Sequence, residues 1–303
     1  MKIIVVGSSN TDMIFKVPRL PKPGETLLGG VFQTAAGGKG ANQAVAAARA
    51  GGDVTFIARV GVDMFGEQAS AGFVRDGIDV RWIVKDAGVP SGVAGIFVAD
   101  DGENSIAVAS GANARLAPAD IEAAAEVFAG ADVLLLQLEV PIDTVTAAAK
   151  LARKNGVRVI LNPAPACPLP EELLGCVDVI TPNETEAALL TGIEVTDDAS
   201  ASQAAATLKG TGIGTVIITL GAAGVYVSSA EGERRIGGFR VTPVDTTAAG
   251  DVFNGAFAVA LAEGRLLDEA LCFAQAAAAL SVTRLGAQPS VPRRDEIDLF
   301  LQR

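Results

Sequence analysis

Val133-Leu-Leu-Leu-Gln-Leu-Glu-Val-Pro-Ile-Asp-Thr-Val-Thr-Ala-Ala-Ala-Lys-Leu-Ala-Arg-Lys-Asn-Gly-Val-Arg-Val-Ile-Leu161 holds an apolar run, an alanine-rich stretch and a second apolar run. Residues 133–138 and 157–161 have the length of buried strands, and residues 142–155 have the length and composition of a helix between them. A helix between two strands returns the chain to the end it started from, so the strands run parallel. The same apolar runs recur at residues 3–6, 54–60, 177–181 and 216–220, with helical stretches at 41–50, 118–128 and 199–209. This alternation predicts an open three-layer α/β/α domain, with ligands at the carboxyl ends of its strands. Residues 225–229 and 236–241, either side of a glycine-containing turn, read as antiparallel strands at one sheet edge.

Two segments break the rhythm. About residues 11–36 and 91–110, Val, Phe, Thr and Ile alternate with Gly and Pro and no helix intervenes. Together they predict a small separate β-sheet, either a lid over the ligand edge or a plain extension of the main sheet. Residues 1–303 otherwise read as a single domain.

Composition narrows the partners. Half of the 303 residues are hydrophobic (50%), enough for a substantial core, and 35 acidic against 24 basic residues give a formal charge of −11. That charge disfavours nucleic acid and anionic lipid, and with only 5% aromatic residues there is little to stack on bases. Small-molecule chemistry is favoured. Cys167, Cys176 and Cys272 form no CxxC pair, which fits reduced thiols. The amino-terminal apolar run reaches Gly7 too soon for a signal-peptide core, so the expectation is a soluble, cytoplasmic protein with no membrane partner. There is no histidine, so a general base must be a carboxylate, Lys, Tyr or Cys.

Asp245-Thr-Thr-Ala-Ala-Gly-Asp251 leads into a helix-like run. Ala248, Ala249 and Gly250 carry almost no side chain, so their N–H groups can approach an anion closely at the positive end of that helix. Asp251 is then either a base within reach of a substrate hydroxyl or a helix cap. Gly37-Gly38-Lys39-Gly40-Ala41-Asn42 puts a cation at a helix start, where the dipole disfavours it by roughly 0.3–1 kcal/mol. Such breaches of a local rule gather at functional sites. Neither GKS nor GKT occurs in the chain, so this is no Walker loop.

Other motifs lie at predicted strand ends. Gly7-Ser-Ser-Asn10-Thr-Asp12 lacks the later glycines of a dinucleotide fingerprint. Its Asn10 and Asp12 suit paired sugar hydroxyls or an Asx-turn. Glu139 ends an apolar strand as a further hydroxyl acceptor or a solvated end residue. Asn183-Glu-Thr-Glu186 suits either magnesium-bound phosphate through water or a capping box. Thr219-Leu-Gly-Ala-Ala-Gly224 is a tight turn, or a hydroxyl with glycine amides beside phosphate, and Gly286-Ala-Gln-Pro-Ser290 reads as a loop.

Taken in order, these motifs resemble the PfkB family of carbohydrate kinases over essentially the whole chain. GGKGANQAVAAARAGG from Gly37 and DTTAAGDVFNGAF from Asp245 match its two signatures. The resemblance implies a ribokinase-like α/β fold with a β-sheet lid, and a homodimer joined through that lid. It implies transfer of the γ-phosphoryl group of ATP to the 5-hydroxyl of D-ribose, with Asp251 as the base and the turn of Ala248, Ala249, Gly250 and Asp251 as the anion hole. Asn10, Asp12, Gly38, Lys39, Gly40, Asn42 and Glu139 match sugar-binding positions. Asn183, Thr219, Gly221, Gly224, Gly250 and Gln275 match nucleotide positions, Gln275 standing where histidine is frequent beside the adenine. Asn183 and Glu186 match a magnesium-associated motif. Asp245, Thr247, Ser281, Arg284, Gly286 and Ser290 match a site for a monovalent cation such as K+, most of whose ligands are backbone carbonyls. Other small sugars or nucleosides, a sugar-binding regulator without catalysis, and a dinucleotide oxidoreductase are the rival readings.

Overall fold

The computed structural model describes residues 1–302. Strand β1 (Lys2–Val6) lies third from one edge of a nine-stranded sheet. Around it the chain forms β2 (Asn10–Val17), β3 (Val31–Gly37), helix α1 (Lys39–Arg49), β4 (Asp53–Gly61), α2 (Met64–Arg75), β5 (Ile83–Asp86), β6 (Gly92–Ala99) and β7 (Asn104–Ala109). Next come α3 (Pro118–Ala123), α4 (Ala125–Phe128), β8 (Val133–Leu136), α5 (Ile142–Lys154), β9 (Arg158–Leu161), α6 (Glu171–Leu174) and β10 (Val179–Ile180). The remainder is α7 (Glu184–Thr191), α8 (Asp198–Lys209), β11 (Thr215–Thr219), β12 (Val225–Ser229), β13 (Gly232–Ile236), α9 (Ala249–Ala262), α10 (Leu267–Ser281) and α11 (Arg294–Leu301).

The main sheet runs β13-β12-β11-β10-β9-β8-β1-β4-β5. It is parallel from β11 through β5, with β12 and β13 antiparallel at one edge. The chain leaves β1 toward β4 on one side and later returns as β8 on the other, so the order reverses beside β1 and opens a crevice at the carboxyl ends there. Alternation along β1 feeds two cores. Ile3 and Val5 pack with Ala44, Val45, Val252 and Phe257 on the face covered by α1 and α9, while Ile4 and Val6 pack with Val145, Ala148 and Leu161 on the face covered by α5. The three-layer α/β/α architecture follows from both faces being apolar.

A second sheet, ordered β3-β2-β6-β7, is built by the segments that broke the helical rhythm. Asn10 and Asp12 therefore lie within β2, in neither a loop nor an Asx-turn, and Glu139 lies beyond the end of β8. Three further local expectations are corrected. The last strand is Gly232–Ile236, because the Gly237-Gly238 pair that follows packs its backbone against Ala222 and Gly224 and leaves the ladder. The helix expected over 118–128 divides at Ala124, where ψ is 11°. The strand expected over 177–181 pairs only at Val179 and Ile180. Among the described residues no helix is long and apolar enough to cross a membrane.

Helices α1 and α9 touch backbone to backbone. A Cβ at Gly255 would lie 2.6 Å from the Ala46 Cβ and 2.6 Å from the Gln43 carbonyl oxygen, neither of which ends a flexible side chain. Alanine gains about 1 kcal/mol over glycine inside a helix, but overpacking of this kind costs about 1–3 kcal/mol. The packing penalty outweighs the propensity, and Gly255→Ala is expected to lower the urea midpoint of unfolding. A raised midpoint would show that the helices separate at little cost.

Candidate active site

Helix α1 starts at Lys39 because Gly38, its N-cap, takes φ 90°. A Cβ there would meet the Asn10 backbone nitrogen at 2.7 Å, so only glycine lets α1 begin against the β1–β2 junction. The Ala41 N–H donates to the Ser8 carbonyl at 2.8 Å, and the Gly40 N–H to Ser8 Oγ at 3.3 Å. Glu139 reaches the same helix end from the neighbouring strand: its Oε2 accepts from the Lys39 N–H at 2.9 Å and from Ser8 Oγ at 2.5 Å. The anion that the α1 dipole prefers is thus supplied by Glu139. The Lys39 ammonium feels the charge of three carboxylates. Burial opposes its charge, but Asp251, Glu139 and Glu186 outweigh this and raise its pKa above the ordinary lysine value.

Asn10 Oδ1 accepts from Asn113 Nδ2 at 2.7 Å, and Asn113 Oδ1 in turn accepts from the Ser9 N–H at 2.9 Å. Asp12 projects from β2 across Gly37 of β3, where any side chain would run into its carboxylate. Burial pushes the Asp12 carboxyl up to about 6, aided by the charges of Glu139 and Asp251. A cavity of about 360 Å³ is bordered by Asn10, Asn113, Leu138, Glu139 and Pro165.

Asp251 is the third residue of α9, whose N-cap is Ala248 in the left-handed region at φ 60°. The reading of Asp251 as the helix cap is therefore corrected. Its carboxylate points away from the helix backbone into the α1 contact, where Oδ2 accepts from Asn42 Nδ2 at 3.0 Å and Oδ1 from Gln43 Nε2 at 2.9 Å. Burial raises its pKa, against the lowering effects of Lys39, Asn42 and Gln43. Among the described residues, Asn42 Oδ1 has no partner although it is buried beside this carboxylate. The N–H groups of Gly250 and Asp251 likewise have no acceptor among the described residues, which leaves the positive end of α9 open. Ala248 accepts a backbone conformation that costs an L-residue roughly 1–2 kcal/mol, and it sits at the turn where those N–H groups converge.

Next to this helix start lies a cavity of about 540 Å³, bordered by Thr219, Gly221, Gly224, Ala249, Gly250 and Gln275. The volume falls in the range of small-molecule sites. Gln275 is buried, and its Oε1 has no partner among the described residues. Phe239 and Arg240 complete the wall. Asn183 lies outside that lining but forms a β-bridge to Thr219. With Glu186 it makes a full capping box, Glu186 N–H to Asn183 Oδ1 at 2.7 Å and Asn183 N–H to Glu186 Oε2 at 2.9 Å. Burial raises the Glu186 pKa against the Asn183 N–H and Lys39.

Asp245 joins two loops. Its Oδ1 accepts from Thr247 N–H at 2.9 Å and its Oδ2 from Gly286 N–H at 2.8 Å. Burial opposes ionisation, but these hydrogen bonds hold its carboxyl below the usual range. Ser281 and Ser290 spend their hydroxyl hydrogens on the carbonyls of Ala278 and Ala287, and Arg284 pairs with Glu296. Among the described residues there is no cluster of three or more His, Cys, Asp or Glu fit to hold a metal ion.

The structure also gives positions to residues that sequence reasoning passed over. Gln43 and Asn113 are the chief ones. Gln43 was readable as a buried amide on an otherwise alanine-lined helix, four residues after Lys39. Asn113, in the turn after β7, carried no local signal.

Comparison with known proteins agrees with the geometry. A ribokinase of Haemophilus influenzae is 52% identical over 300 residues, spanning 99% of this chain and 98% of that one. A deoxyribokinase of Salmonella typhi is 38% identical over 99% of each. The structure of Arabidopsis thaliana ribokinase complexed with ribose and ATP superposes with a TM-score of 0.93 at 36% identity, covering 99% of this chain and 98% of that one. The family model for pfkB carbohydrate kinases matches residues 1–294, and this chain belongs to that family.

Proposed function

We propose that this protein transfers the γ-phosphoryl group of ATP to the 5-hydroxyl of D-ribose, giving D-ribose 5-phosphate and ADP. The observation that carries the reading is the buried Asp251 carboxylate beside the unpartnered Asn42 Oδ1, at a helix start with free N–H groups. Asp251 takes the hydroxyl proton as the oxygen attacks the γ-phosphorus. The bond from that phosphorus to the bridging oxygen breaks, and ADP leaves. The free N–H groups of Gly250 and Asp251 stabilise charge on the transferred group, the small side chains of Ala248 and Ala249 let it approach, and Lys39 brings a cation to the same place. Asn10, Asp12, Asn42 and the free Oε1 of Glu139 orient the sugar, with Gly38 and Gly40 admitting it close to backbone. Thr219, Gly221, Gly224 and Gln275 border the nucleotide.

Asn183 and Glu186 suit a magnesium ion held mainly by phosphates and water, since no all-protein cage is present among the described residues. Magnesium would supply neutralisation of the phosphate charge. The oxygen-rich loops tied by Asp245 suit a monovalent cation such as K+ held by Asp245 and by carbonyls of Thr247, Ser281, Arg284, Gly286 and Ser290. It would brace the turn that precedes Asp251. Three free thiols fit a cytoplasmic setting.

The second sheet is read as a lid and as the contact of a homodimer. Both of its faces expose apolar side chains, Phe32 at 55% on one and Ile106 at 57% and Val108 at 54% on the other, and the Phe32 face, shared with Phe15 and Phe97, is the one read as the dimer contact.

In a coupled ADP assay across sugars, ribose is expected to turn over fastest and Asp251→Asn to lose roughly 10²–10⁴-fold in kcat. Faster turnover of 2-deoxyribose would move the assignment to a deoxy sugar, the reading favoured by the Salmonella relative. A second expectation concerns pH. Hydroxyl donors need the ionised Asp12, so ribose binds at full strength above about 6 and weakens as pH falls through that value. Calorimetric titration measures this, and Asp12→Asn should bind weakly with a flat profile. Light scattering is expected to give a dimer for the parent protein and a monomer for Phe32→Glu; a parent monomer would remove the dimer.

A further inference from the structure

Behind Asp251 runs a closed chain of buried hydrogen bonds whose linking side chains border neither cavity. Gln137 Nε2 donates to Gln43 Oε1 at 2.5 Å, which fixes the Gln43 carboxamide with its nitrogen turned toward α9. That nitrogen divides its two hydrogens between Asp251 Oδ1 at 2.9 Å and Asn162 Oδ1 at 3.0 Å. Asn162 cannot turn its amide around without loss, because its Nδ2 donates to the Thr181 carbonyl at 3.1 Å. Thr181 Oγ1 donates to Asn254 Oδ1 at 2.6 Å, and Asn254 Nδ2 donates to the Gly250 carbonyl at 2.8 Å, one residue before Asp251.

The ring thus leaves α9 at Asp251, crosses α1, passes the carboxyl ends of β9 and β10 and re-enters α9 at Gly250. Gln43, Gln137, Asn162, Thr181 and Asn254 are all at least nine-tenths buried. Core packing alone does not call for five polar side chains in one place, and apolar residues of the same shape would be no less stable there. A connected network whose members fix one another's orientation does supply geometric precision: Gln43, Asn162 and Asn254 cannot flip without breaking at least two bonds each, while Gln137, whose Oε1 has no partner among the described residues, is held by its single bond to Gln43.

We propose that Gln43 is a positioning residue for phosphoryl transfer, holding Asp251 Oδ1 so that the base and the Gly250–Asp251 turn keep one fixed relation. The proposal rests on the kinase reading of Asp251. Gln43 acts on the base twice over: it sets the direction of the carboxylate, and its N–H favours the ionised form against the cost of burial. The other charges facing Asp251 are Lys39 from α1, Glu139 after β8, Asp12 from β2 and Glu186 from α7, and none of these belongs to the ring.

The test uses the full chain with ATP and ribose. Gln43→Met keeps the length of the side chain and removes both amide groups. Its kcat is expected to fall about tenfold to a hundredfold, the scale of a displaced catalytic group, while the ribose KM stays within about threefold. The acid limb of the kcat profile should move to higher pH, because the base loses a donor that favours its ionised form. Gln137→Met leaves Gln43 in place but frees its amide, and should give a smaller change in the same direction.

Should Gln43→Met keep parental kcat and acid limb while Asp251→Asn abolishes turnover, the positioning role is overturned and the kinase reading stands. Should Asp251→Asn keep turnover, the base assignment fails and Gln43 falls with it. If circular dichroism shows Gln43→Met unfolded, Gln137→Met decides: an unchanged kcat and acid limb overturn the proposal, and a lowered kcat with a shifted limb supports it.

Discussion

A carboxylate held out of water is the constraint on which the rest depends. Taking such a group from water costs several kcal/mol unless partners replace the lost solvation, and Asp251 is only 6% exposed. Its replacements come from two places: amide donors of Asn42 and Gln43 on α1, and the positive end of its own helix α9. Lys39 adds a full charge within Coulombic range. The groups on α1 do not reach Asp251 unless α1 and α9 lie closer than helices with ordinary side chains allow. That closeness is what Gly255 and the alanines of α1 provide.

The same requirement explains the arrangement of charge across the crevice. Glu139, Glu186 and Asp251 are three carboxylates within Coulombic range of one ammonium, Lys39, and Asp12 adds a fourth beside Glu139 and Asp251. The crowding of negative charge shows in the raised carboxyls of Asp12 and Glu186, and part of it is balanced by a helix end, since Glu139 sits on the start of α1. A neutral polyhydroxy ligand is the natural guest of such a place, for its hydroxyls donate to carboxylates without adding charge. The anionic guest belongs on the other side of Asp251, where the N–H groups of α9 and the glycine turns of Gly221 and Gly224 face the larger cavity. On the proposed function, Asp251 then stands at the boundary between a hydroxyl-rich and a phosphate-rich neighbour.

Much of this was legible because it is local. Apolar runs of strand length separated by alanine-rich stretches are enough for a parallel sheet with covered faces, and a lysine at a helix start is visible as a breach of dipole rules. The two signature segments identified the carboxylate and its turn. What the sequence hid is what depends on distance in the chain. Glu139 looked like a hydroxyl acceptor at a strand end, yet one of its oxygens is spent on the Lys39 N–H, a hundred residues away in sequence. Asn113 orients Asn10 across a similar separation. β13 was misread because Gly232-Glu-Arg-Arg-Ile236 is mostly charged, as an edge strand exposed to water is allowed to be. The capping box of Asn183 and Glu186 is local and formed as its spacing suggests; the pull of burial and of Lys39 on Glu186 is not local and was invisible.

The left-handed turn at Ala248 brings fold and chemistry to a single point. An alanine at φ 60° gains nothing from the conformation itself, and glycine would adopt it without strain. Glycine would also loosen the turn, since it has the most backbone freedom to lose on folding. An alanine held there keeps the N–H groups of Gly250 and Asp251 pointed in one direction only if the surroundings prevent relaxation. Two anchors do so: Asp245 ties the loop before it to Gly286, and Asn254 ties the Gly250 carbonyl to Thr181 at the end of the sheet. The strain is therefore affordable because the turn is clamped on both sides, and the clamp on the sheet side is the same ring that holds the carboxylate of Asp251.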